Sequence, residues 1–158
     1  MLTTSYNSDI VAWSKEQAYL LRSGRLADID IEHIAEEIED VGKSEQRELA
    51  NRMTVLMMHL LKWHFQPARQ GSSWEKTIKE QRKSIIRRLK NTPSLKNLLT
   101  DDECLEDVWL DARIATEKET HINFDKFPDV SPWNMDTILK ENWLPALINS
   151  NVEIQGTF

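Results

Sequence analysis

Apolar residues recur every three to four positions along most of this chain, the spacing of amphipathic helices. Ser8 or Asp9 can cap a first helix. Ile10, Trp13, Gln17, Leu20 and Leu21 follow on one face, with Gln17 the polar exception, and Gly24 closes it. A second stripe begins near Asp30 with Ile31, Ile34, Ala35, Ile38 and Val41, and Glu32, Glu36, Glu37, Glu39 and Asp40 cover the rest of that helix. The stripe keeps its phase past Gly42 through Leu49, Met53, Leu56 and Leu60. The continuous phase favours one helix from about 31 to 65, bent near Gly42, over two helices meeting there. A glycine inside a helix costs about 1 kcal/mol relative to alanine, which a packed helix absorbs.

Between Met53 and Leu61 apolar side chains point all round the axis, so this segment is predicted to be surrounded by other helices. Pro67 ends it. Ser72 and Glu75 form a capping-box pattern for a helix to about Lys90, with Trp74, Ile78, Gln81, Ile85 and Leu89 inward. Pro93 opens a short helix carrying Leu95, Leu98 and Leu99. Thr100 and Glu103 repeat the capping pattern before a helix with Leu105, Val108, Ala112 and Ala115 inward and Trp109 and Ile114 on its flanks. Phe124 and Phe127 are expected to tuck an irregular stretch against the body, and Ser131 with Pro132 to start a last helix.

The expected architecture is all-α: a single-domain antiparallel helical bundle around a long central helix, over residues 1–147, with 148–158 a mobile tail. Composition agrees. The 158 residues fit one domain able to bury roughly 70% of its unfolded surface. Four glycines and five prolines argue against strand-and-turn folds. The lone Cys104 suits a reducing cytoplasm. The N-terminus lacks a secretory pattern, and the longest apolar run is far below the ~20 residues of a membrane helix. The expectation is a cytoplasmic protein with no membrane partner.

The segments "AWSKEQAYLLRSGRLADIDIEHIAEEIEDVGKSEQREL", "LMMHLLKWHFQPARQGSSWEKTIKEQR", "TPSL" and "FPDVSPW" occur in this order. Together they resemble the bacterial, mainly cyanobacterial family catalogued as domain of unknown function 29, over about residues 6 to 145. The resemblance implies a small all-helical domain and brings no activity, cofactor or catalytic residue.

Four features invite a functional reading. His59 and His64 lie five apart, so their rings diverge by roughly 140° on a helix and are poorly placed to share one ion. His59 reads as a buried polar side chain bonded to a carboxylate or carbonyl. His33 and Glu36 reverse the order used in di-iron bundles and read as part of a solvated acidic face. Residues 76–90 hold seven basic side chains and one acid in a chain of net charge −6. Lys76, Lys79, Lys83, Arg87 and Lys90 form a stripe, with Arg69 just upstream: a candidate anion site, or a solvated face, or one paired with the acidic residues 31–41. Trp63, Trp74 and Trp109 read as packing rather than an aromatic site.

No nucleophile–base set stands out, and no metal or cofactor is expected. The favoured function is a small module that engages a protein partner. Binding of anions or nucleic acid through helix 76–90 is the first alternative, and a metal-dependent enzyme without a recognisable motif is the second. Neither the substrate nor the oligomeric state is legible.

Overall fold

The computed structural model describes residues 4–146, so the expected tail lies outside the described residues. These residues contain five α-helices and no strand: α1 (Ile10–Arg22), α2 (Ile31–Phe65), α3 (Ser72–Asn91), α4 (Asp102–Thr120) and α5 (Met135–Ile138). Three 3₁₀ turns, at Pro67–Arg69, Pro93–Thr100 and Phe124–Lys126, join them. The all-α expectation holds. The long central helix is continuous through Gly42, where a Cβ would meet no atom within 4 Å. The glycine therefore marks neither a break nor a close approach.

Three caps differ from the pattern reading. Gly71, not Ser72, precedes α3, and no side chain caps it. Asp101 rather than Thr100 caps α4, accepting from the Cys104 N–H at 3.1 Å, because a carboxylate one residue nearer the first turn reaches its free amides. Asn134 caps α5, which is one turn long, while Ser131 closes a turn onto Trp133 instead. At α1 the expected alternatives resolve to Asp9, which accepts from Ala12. Gly24 follows at φ +71°, the left-handed conformation glycine takes without strain.

The chain divides into two compact units, the first ending at Glu45 and the second beginning at Gln46. In the first, Trp13, Gln17 and Leu20 are buried as predicted, whereas Ile10 and Leu21, expected on the same face, are exposed. A polar clasp ties the unit together. The Trp13 indole donates to Asp30 Oδ2 at 3.0 Å, and the Asp30 N–H donates to Gln17 Oε1 at 2.7 Å. His33 Nδ1 lies 2.7 Å from Asp30 Oδ2, and its ring stacks on Tyr6. The Tyr6 hydroxyl donates to Glu37 at 2.6 Å. His33 is thus half-buried, not solvated as the spacing suggested.

That clasp has a consequence for the apolar stripe of α2. His33 and Glu37 lie roughly 120–160° around the helix from Ile31. Contacts through them leave Ile31, Ile38 and Val41 exposed at 64%, 67% and 67%. Ile34 alone among the stripe's large side chains is half-buried.

The second unit is built on the C-terminal half of α2, where Leu49, Met53, Leu56, Leu60 and Leu61 are fully buried. Arg52 meets Gln81, and Arg88 meets Glu48, so α2 and α3 run antiparallel. Ile78, Ile85 and Leu89 of α3 and Val108, Trp109 and Ala112 of α4 complete the core with Phe127 and Ile138. Trp109 is buried rather than on a flank, its indole N–H bonded to the Pro128 carbonyl at 2.9 Å. Lys62, nearly buried, pairs with Glu119 at 2.6 Å and covers the Trp74 ring. The three tryptophans of the candidate aromatic site are core or half-buried packing residues.

Candidate interaction surface

Helix α3 sorts its side chains by phase. Ile78, Arg82, Ile85 and Leu89 are buried, whereas Lys79, Lys83, Ile86, Arg87 and Lys90 are exposed. The buried arginine is the unexpected member. Its Nε donates to the Ile138 carbonyl at 2.8 Å and its Nη2 to the Trp143 carbonyl at 2.5 Å, with the guanidinium facing the Trp143 ring. Desolvation by burial lowers its pKa below the ordinary guanidinium value. Two carbonyls that α5 and the turn after it would otherwise leave open are satisfied by one side chain.

Arg82 thereby fixes the segment 138–144 beside α3, and a groove of about 740 Å³ runs between them. Its apolar lining comes from Ile78, Ile86, Leu139 and Leu144. Lys79, Lys83, Arg87 and Lys90 line it as well, and none of the four forms a hydrogen bond or ion pair with a described residue. Glu75 and Glu141 are the acids of the lining. Four of the six cations read from the sequence are therefore brought to one concave surface. Lys76 is outside the lining and lies 3.8 Å from Glu80, and Arg69 is exposed in the first 3₁₀ turn.

Arg82 was legible in principle: it lies four residues after Ile78 and three before Ile85, on the inward stripe. Its membership in a run of seven basic residues masked that phase. Leu139 and Leu144 carried no such signal, because the turn that places them is set by tertiary bonds.

The other candidates do not assemble. His59 is half-buried, and its Nδ1–H donates to the Val55 carbonyl one turn back, at 2.9 Å. Desolvation lowers its pKa. His64 bonds instead to the Ala146 carbonyl. Among the described residues no group of three or more His, Cys, Asp or Glu side chains is placed to hold a metal ion. Burial, then Asp101 and Asp107, pushes the Cys104 thiol up, the wrong direction for a nucleophile. A smaller cavity of about 390 Å³ is lined by Met57, Trp109, Trp133 and Arg113 among others. The charge of Arg113 is engaged there by Asp129 at 3.1 Å and by the face of Phe124.

No helix among the described residues is long and apolar enough to cross a membrane. No curated protein and no solved structure matches the chain. The family model of domain of unknown function DUF29 matches residues 5–144, nearly the whole chain, and the protein belongs to that family.

Proposed function

We propose that this protein is a cytoplasmic protein-interaction module, and that the groove on α3 takes up an acidic amphipathic segment of its partner. The observation that carries this reading is the pairing of an apolar groove lining with four cations that have no partner among the described residues. An amphipathic helix or strand with carboxylates beside its apolar edge matches both features. Burial of its apolar side chains supplies affinity, at roughly 25 cal/mol per Å², and the cations select the sign of its charge.

The second reading, anion or nucleic-acid binding, draws on the same four cations. Among the described residues lining the groove none offers an aromatic ring on which a base can stack, and four, Ile78, Ile86, Leu139 and Leu144, are aliphatic. That favours a polypeptide over a nucleic acid.

Fluorescence anisotropy with three probes separates the readings: an acidic amphipathic helical peptide, a poly-glutamate peptide and a generic DNA duplex. The amphipathic peptide is expected to bind at least about tenfold more tightly than the other two, a difference of ~1.4 kcal/mol. Changing Lys79, Lys83 and Arg87 together to Gln abolishes that preference. Equal or tighter binding of duplex DNA by the wild type overturns the proposal in favour of the phosphate reading.

A further inference from the structure

We infer that the smaller cavity, beside α4, is a binding site for a small organic cation: an ammonium group carried on an apolar, ring-sized body. This site is separate from the α3 groove, and the inference does not depend on the interaction reading above.

The cavity has the volume of a small-molecule site, about 390 Å³. Its walls are largely apolar. Met57 comes from α2, Leu105, Trp109 and Leu110 from α4, and Trp133 and Met135 from the segment opposite. The Trp109 and Trp133 rings meet edge to face, with centroids 6.1 Å apart. Leu110 is 43% exposed and Trp133 is half-buried, so the apolar wall reaches solvent.

Charge selects the ligand. Asp102, Glu106 and Asp129 line the cavity, and Arg113 is the cation of the lining. Arg113 is already engaged: it pairs with Asp129 at 3.1 Å, and its guanidinium lies against the face of Phe124. Setting that pair aside leaves Asp102 and Glu106, and neither has a hydrogen-bond or ion-pair partner among the described residues. Both carboxylates share the face of the apolar wall, because 102, 105, 106, 109 and 110 follow one another at helical spacing and all line the cavity. A ligand that buries its body against Leu105 and Trp109 therefore brings its charge to Asp102 and Glu106.

The two carboxylates stand four residues apart, one turn along α4, where like charges destabilise a helix. Asp102 lies in the first turn, where a negative charge favours the helix. That effect fades within the turn, and Glu106 lies beyond it. A cation between them turns the repulsion into two attractions. An indole that presents its face to the ligand adds to the preference, since its quadrupole attracts cations. An anion of the same shape meets both carboxylates as like charges.

Heteronuclear NMR of the full chain tests this, with the indole N–H signals of Trp109 and Trp133 as reporters. The probes are 2-phenylethylammonium and 3-phenylpropionate, which carry the same ring on the same chain with opposite charge. The ammonium is expected to shift both indole signals saturably and to bind about tenfold more tightly than the carboxylate. Changing Asp102→Asn and Glu106→Gln together is expected to abolish that difference. Both positions are exposed, and the fold of the variant is checked by its far-UV spectrum. Asp107→Asn removes an exposed carboxylate of the same helix outside the cavity and is expected to leave the preference intact. The inference is overturned if the ammonium gives no saturable shift up to about 5 mM, or if 3-phenylpropionate binds as tightly. It is overturned equally if the preference survives the double change or disappears with Asp107→Asn. The comparison of the two probes on the wild type decides the matter whatever the stability of the variants.

Discussion

Arg82 is the side chain on which the groove depends, and its removal has a worked consequence. Arg82→Met keeps most of the aliphatic stem in place and removes the guanidinium. The Ile138 and Trp143 carbonyls then lose their donor, and hydrogen bonds from a charged group are worth about 1.5–3 kcal/mol each. Against this, the folded state no longer desolvates a cation, which offsets part of the loss. Water reaches the Trp143 carbonyl, whose residue is half-buried, more easily than the buried Ile138. The net expectation is a loss of about 2–4 kcal/mol. For a domain of this size that lowers Tm by roughly 4–16 °C, read by circular dichroism at 222 nm. Hydrogen exchange adds a local readout: amides of 138–144 lose protection in the variant, while those of Leu56 to Leu61 change only with global stability. A variant as stable as wild type, with residues 138–144 equally protected, refutes the assignment of Arg82 as the clamp that forms the groove wall.

Gly42→Ala is expected to stabilise the protein by up to about 1 kcal/mol, since the position lies inside α2 and an added Cβ meets nothing within 4 Å; a fall in Tm refutes a continuous, uncrowded helix there. His59→Ala is expected to cost about 1 kcal/mol, because the lost bond is to its own helix and the ring is only half-buried, and chelator leaves the Tm of wild type and variant unchanged. Desolvation lowers the His59 pKa in the fold, so its contribution is complete above the unfolded value of 6.5 and is lost as pH falls through the folded one; the variant's stability declines less steeply with acid, measured by denaturant titration. The hydrogen bond from His33, then that from Trp13, lowers the Asp30 pKa below 3.8; its stabilisation is present above that value and lost as pH falls through the depressed one, so Asp30→Asn flattens the acid limb of the stability curve.

The helices themselves were largely legible along the chain. The segment from Met53 to Leu61, apolar on every side, requires a surrounded helix wherever the rest of the chain goes, and Met53, Leu56, Leu60 and Leu61 are fully buried. Pro67, Pro93 and Gly24 act through local sterics that need no partner, and elements end or begin beside each. The caps were harder. Neighbouring Ser, Thr, Asp and Gly residues compete for the same few amides, and the winner depends on tenths of an ångström.

Period alone says which side chains share a face; it does not say whether another element covers that face. The stripe Ile31, Ile38 and Val41 has the pattern of a core helix and is open, because the bonds of Trp13 with Asp30 and of Tyr6 with Glu37 bring the rest of the unit to a different side of α2. The same limit hid the groove. The cations of 79–90 were visible as a stripe, but a concave surface needs a second wall, and that wall stands where Arg82 reaches the carbonyls of Ile138 and Trp143, 56 and 61 residues along the chain. Local patterns are set by the geometry of one helix. Which faces meet, and which are left to bind something else, is decided by bonds between residues that sequence distance cannot bring together.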